Sequence, residues 1–278
     1  MKKILFPTDF SKSAENAFLY ALSLAGKINA EIILYHVYEL PELGRSLKTT
    51  TKEVYELMEM ETLESFKSSV KELRELAGKC GFENIPLTHE MQEGEVISRV
   101  CKKAQNEKAD YIVMGTQGAT GLKEVFLGSI ATGVIDESPI PVISVPEQAN
   151  YTNPISTIAY LSNYKPEEMD AFKQVYDFAS SLSASVMCVH YDGEEENENG
   201  DREKWKAGLV EELKGVSYNV IVGENFEKAL VAFSQEHKID LLAVLPRKRN
   251  IFQRIFSKSV SKTIAHHLHV PLFSLPKK

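Results

Sequence analysis

The chain reads as an α/β protein: two tandem copies of an open, doubly wound parallel five-stranded sheet flanked by helices. Three observations predict this. Short apolar runs alternate with stretches of helical periodicity in the order βαβαβαβαβ, which implies a parallel sheet with helices on both faces. The pattern then begins again, since Ile158–Asn163 (IAYLSN) repeats Ile4–Asp9 (ILFPTD), and self-similarity of this kind marks a repeated structural unit. Finally, Ala109–Pro146 (ADYIVMGTQGATGLKEVFLGSIATGVIDESPIPVISVP) sets a glycine-punctuated loop between an apolar strand and a helix.

Each element follows from local pattern. Lys3–Phe6 is a buried strand ended by Pro7-Thr8-Asp9. Ser11–Lys27 places Ala14, Ala17, Phe18, Ala21, Leu22 and Ala25 on one helical face, with Asp9, Ser11 or Ser13 as caps and Gly26 near the stop. Glu31–Val37 is a second buried strand. The connection Tyr38–Thr51 is long, as lids and partner surfaces are. A helix over Lys52–Lys79 turns Leu63, Phe66, Val70, Leu73 and Leu76 inward. Ile85–Met91 is a strand, and Val96–Ala104 a helix with Val96, Ile97, Val100 and Ala104 inward. Then come the strand Tyr111–Met114, the glycines Gly115, Gly118 and Gly121, a helix opened by Gly128-Ser129, and the strand Val142–Val145.

Glu147–Pro154 (EQANYTNP) is polar and ends in proline, as linkers do, which divides the chain into domains 1–147 and 152–278. One offset aligns Ile4 with Ile158 and His36 with His190. A smaller one aligns Asp110 with Asp240 and Pro141 with Pro271, because the second half shortens its middle. The two copies are expected to pack on one another as the subunits of a homodimer do. The acidic run Glu194–Glu198 falls in the shortened region and reads as a solvated surface segment.

Composition narrows the class. The chain has 278 residues, 43% hydrophobic and 26% charged, enough for one large or two ordinary buried cores. A net charge of -7 argues against a general nucleic-acid binder. Cys80, Cys101 and Cys188 have no metal or redox spacing and read as reduced packing residues. No signal-peptide or membrane-spanning pattern is present, so the expectation is a cytoplasmic protein that makes no membrane contact.

Glycines after a strand admit backbone N–H groups close to a phosphate, and a helix start adds unpaired donors and positive partial charge. The spacing Gly115-x2-Gly118-x9-Gly128-Ser129 matches G-x2-G-x9-G-[S/T], and with the strand-end Asp9, the PIPVISVP ending and the repeat it resembles the universal stress protein family in tandem form. The resemblance implies an adenine nucleotide alpha hydrolase-like fold and ATP as ligand, with or without Mg2+. It implies that Asp9, beside Pro7 and Thr8, meets the nucleoside, and that Val37 meets adenine through its backbone. Met114 and Gly115 would line base and ribose, with Gly118, Gly128, Ser129 and Ile130 around the phosphates. Taken singly, the glycines are also ordinary turn residues, and Asp9 is also an ordinary helix cap. His36 and His190 read as core or strand-end packing residues rather than catalysts.

The second half has lost these features. Gly115, Gly118 and Gly128 become Leu245, Lys248 and Lys258, Asp9 becomes Asn163, Pro7 becomes Leu161, and only Ser129 persists, as Ser259. It is therefore expected not to bind ATP in the family manner. Its loop is basic instead (Arg247, Lys248, Arg249, Arg254, Lys258, Lys262), which reads as a solvated loop flanking an apolar anchor, as a different anion site or as a surface for an acidic partner. His266, His267 and His269 lack zinc-ligand spacing. The expectation is a regulatory ATP-binding module with intramolecular pairing of its domains, a homodimer being left open. A slow ATP hydrolase and a nucleotide-independent scaffold are the alternatives; neither a GxxxxGK[ST] loop nor a GxGxxG fingerprint is present.

Overall fold

A computed structural model describes residues 1–39, 51–117, 127–192, 205, 213, 215–223, 225–246 and 269–277, with side chains of the second stretch from 56 onward. Gly118, Gly121, positions 40–50 of the long connection, the acidic run 194–198, the basic stretch 247–262, and His266 and His267 lie outside the described residues.

The first half runs β1 (Lys2–Pro7), α1 (Lys12–Ile28), β2 (Ala30–Tyr38), α2 (Thr51–Lys79), β3 (Leu87–Glu93), α3 (Val96–Asn106), β4 (Tyr111–Gly115), α4 (Ser129–Glu137) and β5 (Val142–Val145). The second runs β6 (Thr157–Leu161), a 3-10 turn (Pro166–Glu168), α5 (Met169–Ser181), β7 (Ser185–Asp192), β8 (Ser217–Val222), α6 (Phe226–Glu236), β9 (Leu241–Val244) and β10 (Leu272–Ser274). All ten strands form one sheet in the order β3-β2-β1-β4-β5-β10-β9-β6-β7-β8.

Every neighbouring pair in this sheet is parallel except β5 and β10, which are antiparallel. There Phe273 faces Ile143, while Leu272 faces Ser144 and Ser274 faces Val142. Phe273 is the repeat-mate of Ile143, so the pairing is self-complementary, as across a two-fold axis. A two-fold axis normal to the sheet keeps each face continuous. One apolar layer accordingly joins α1, α2 and α5 over Ile4, Phe6, Tyr111, Ile143, Tyr160 and Phe273, and the other joins α3, α4 and α6 over Leu5, Ile112, Val142, Leu161 and Leu242. Period-two alternation along each strand serves both layers at once, which is why these strands read as continuous apolar runs. Among the described residues no helix is long and apolar enough to cross a membrane.

The repeat extends to backbone detail. Phe10 and Tyr164 have φ 59° and 57°, Asn29 and Ser183 52° and 57°, Lys108 and Lys238 53° and 50°. Asp110 accepts the Lys3 N–H at 2.8 Å, and Asp240 accepts those of Ser156 and Thr157 at 2.8 and 3.0 Å.

Two boundaries and one inward-facing position differ from expectation. Helix α1 passes through Gly26 and stops at Asn29, whose left-handed φ closes the helix with its N–H on the Ala25 carbonyl. Strand β3 starts two residues late, because Pro86 has no N–H to give a ladder and only its carbonyl takes part, accepting from Ile32. Helix α2 buries Phe66, Val70, Leu73 and Ala77, but Leu63 is 40% exposed. Its 29 residues span about 43 Å, against about 30 Å for the nine residues of β2, so its first turns overhang the sheet.

Candidate nucleotide site at the β1–β4 opening

Within the first half the order β3-β2-β1-β4-β5 reverses winding between β1 and β4, the place where open α/β sheets receive ligands beyond strand carboxyl ends. The two strands pair only at Ile4–Tyr111 and Leu5–Ile112, although β1 continues to Pro7 and β4 to Gly115. Proline contributes to this parting. Thr8 donates to Tyr35 on β2, so by alternation the missing N–H of Pro7 is on the β4 side, where no ladder bond can form.

Beyond Pro7 the chain turns tightly. The Thr8 hydroxyl accepts the Phe10 N–H at 3.0 Å, and the Thr8 carbonyl lies 2.8 Å from His36 Nδ1. A carbonyl only accepts, so Nδ1 carries the proton. His36 therefore pins the turn, and its ring is 5.0 Å from that of Phe10 and 6.1 Å from that of Phe66. Thr8 is buried inside this framework and Asp9 is exposed at its outer edge. Asp9 Oδ1 accepts the Ser11 N–H at 3.1 Å, an Asx turn that fixes the carboxylate at the mouth of the opening.

Val37 sits near the end of β2. Tyr35 accepts from Thr8 toward β1, whereas Tyr38 accepts from Gly94 toward β3. Alternation then directs the Val37 N–H and carbonyl to the β1 side, past the last residue of β1. On the opposite wall, the Met114 side chain is buried in the α3/α4 layer. A Cβ on Gly115 would lie 3.4 Å from the Gln117 carbonyl and 3.5 Å from that of Ser13. Ser13 Oγ donates to that same Gln117 carbonyl at 2.8 Å, tying the start of α1 to the loop after β4.

Helix α4 closes the site. Gly128 has φ -70°, so handedness does not demand glycine there; close approach does. Its N–H donates to the Thr116 carbonyl at 2.7 Å, and a Cβ would stand 3.3 Å from that oxygen. Ser129 and Ile130 follow, exposed, in a first turn that no side chain caps among the described residues. By contrast, α1 is capped by Ser11 on Ala14, and α3 by Glu95 on Ile97 and Ser98 at 3.0 and 2.7 Å. Orphan N–H groups and the dipole leave the α4 start suited to an anion. The Glu95 contacts hold that carboxyl below its ordinary pKa. A depressed folded-state pKa contributes stability above the unfolded value, lost as pH falls through the folded one. Glu95→Ala is therefore expected to lower urea stability at pH 7 and to change nothing once the carboxyl is protonated in both states.

Residues 1–146 match the model of the "Universal stress protein family". The chain belongs to the universal stress protein family. A universal stress protein of Methanocaldococcus jannaschii is 34% identical over 145 residues, covering 52% of this chain and 81% of that one. The crystal structure of a universal stress protein from Archaeoglobus fulgidus covers 99% of this chain and 96% of its own at TM-score 0.68 and 19% identity, a likeness of fold along the whole tandem chain. The family includes nucleotide binders; a member solved in complex with cAMP covers 52% of this chain and 96% of its own, at 20% identity and TM-score 0.38.

In this universal stress protein the second strand end is built differently. Strands β6 and β9 stay paired through Ile158–Leu241, Ala159–Leu242, Tyr160–Ala243 and Leu161–Val244, so the β1–β4 parting has no counterpart. Leu161 in place of Pro7 restores an N–H to that ladder. Leu245, in place of Gly115, packs against the core, and Asn163 continues into a turn held by Glu168. Gly118 and the second-half counterparts Lys248, Lys258 and Ser259 lie outside the described residues. Sequence reading missed Gln117 and Glu168; the latter's signal was a carboxylate where the repeat has Ala14. Among the described residues no group of three His, Cys, Asp or Glu could hold a metal ion.

Proposed function

We propose that this universal stress protein is an ATP-binding regulatory protein. Domain 1–147 holds the nucleotide, and domain 152–278 is a pseudo-dimer partner that binds none. The observation that carries the reading is the opening between β1 and β4, which has the start of α4 on one side and, on the other, the Val37 backbone directed past the end of β1. Adenine, an edge with both donor and acceptor, suits the Val37 N–H and carbonyl. The Asp9 carboxylate, with Pro7 and Thr8 behind it, suits ribose hydroxyls. Met114 and Gly115 form the wall beneath base and ribose, and Gly118, Gly128, Ser129 and Ile130 surround the phosphates. Mg2+ would arrive on the phosphates, since Asp9 is the only carboxylate in this set.

Denaturing the purified protein and weighing the released small molecule tests the reading. The expected result is an adenine nucleotide, or, for protein purified empty, ATP binding by calorimetry. Protein that releases no nucleotide and gives no heat with ATP sinks the proposal.

A further inference from the structure

Glu168 is a carboxylate at 2% exposure, at the end of the 3-10 turn before α5. It makes no side-chain cap for α5. Its Oε2 reaches back to the end of β6, accepting the Ser162 hydroxyl at 2.6 Å and the Asn163 N–H at 3.0 Å. Ser162 is fully buried. Its hydroxyl already accepts the Tyr164 N–H at 2.9 Å, so its own proton is directed to Glu168.

The repeat supplies the comparison. Ser162, Asn163 and Tyr164 stand where Thr8, Asp9 and Phe10 stand in the first half, and the turn is the same in both. Phe10 and Tyr164 are left-handed, each donates to the hydroxyl two residues before it, and His36 and His190 each meet the carbonyl of the hydroxyl residue at 2.8 Å. Glu168 stands where the first half has Ala14, whose methyl reaches nothing of the kind. One turn thus has a carboxylate at this position and its twin has a methyl group.

We propose that the end of β6 is a carboxylate-binding site occupied by the chain's own Glu168, an internal ligand that closes the second strand end. Removing a carboxylate from water is costly unless donors replace the water, and the Ser162 hydroxyl and Asn163 N–H are those donors. Closure by Glu168 is a second barrier to ligands, separate from the lost glycines and independent of what the first half binds.

Thermal melts of wild type, Glu168→Ala and Glu168→Gln in sodium formate and in sodium chloride of equal ionic strength test it. Glu168→Ala is expected to melt about 5 °C lower in chloride and to recover saturably with formate, which refills the vacated site. Wild type and Glu168→Gln, whose sites remain filled, are expected to melt alike in both salts. An unshifted Glu168→Ala, a formate response absent from it, or one shared by all three proteins overturns the proposal. Should Glu168→Ala not fold in chloride, refolding yield becomes the readout: recovery in formate supports the site, and equal failure in both salts overturns it.

Discussion

Ser129→Pro is expected to weaken ATP binding about 100-fold, from loss of an N–H and a hydroxyl contact to phosphate worth about 1.5 kcal/mol each, while the fold persists. Ser129 is the first residue of α4, and its N–H belongs to the orphan set at a helix start. Proline is suited to that position, because its fixed φ fits a first helical residue. Gly128, before it, is already extended at ψ 167°, the conformation proline demands of its neighbour. Ser129 is also exposed, so no packing is lost. Ser129→Ala, which removes only the hydroxyl, is expected to cost roughly tenfold. Calorimetric titration with ATP gives the affinities, and circular dichroism melts check the fold. A folded Ser129→Pro protein that binds ATP as wild type does would mean that phosphate is not held at the start of α4.

Phe273→Ala is expected to destabilise the protein by about 3–5 kcal/mol, as deletion of a buried aromatic ring does. Phe273 is 1% exposed and lies across the β5–β10 joint from Ile143. Its ring centroid is 4.7 Å from that of Phe178 and 6.1 Å from that of Tyr111, so it touches α5 of one half and β4 of the other. The layer it belongs to is common to both halves. Loss of the ring is therefore expected to shift one cooperative urea transition rather than detach one half. A loss below about 1 kcal/mol, or a second half that unfolds alone while the first stays native, would contradict a shared core.

Much of this was legible in residue order because the determining physics is local and periodic. The element order and the doubling of the fold follow from patterns whose spacing matches the pleat and the helix turn. Residue type leaves Asp9, Ser11 and Ser13 equal as caps of α1, and only the structure gives the role to Ser11. The offsets between halves hold down to paired left-handed residues such as Phe10 and Tyr164. What escaped depends on contacts between distant segments. Nothing in β5 or β10 alone announces that they pair antiparallel, since either apolar run would satisfy a buried strand. The overhang of α2 is a difference of lengths between elements that meet only when folded. Gly26 looked like a helix stop, but Asn29 performs that function.

At the candidate site, residue identity pointed to Asp9 and Gly115, which lie just past β1 and at the end of β4. It could not tell that Pro7 contributes its absent N–H to the parting of β1 and β4, because that depends on which way alternate amides face. Nor could it tell that the second half keeps its own strand end zipped and fills it with Glu168.

The proposed function puts a single nucleotide site on this chain of two folds, in its first half. Calorimetric titration of the full chain with ATP measures this most directly through its stoichiometry, with Ser129→Pro alongside. The account predicts one ATP per chain in the wild type, lost over the same concentration range in Ser129→Pro. Two ATP per chain, or one that Ser129→Pro leaves undisturbed, would contradict it.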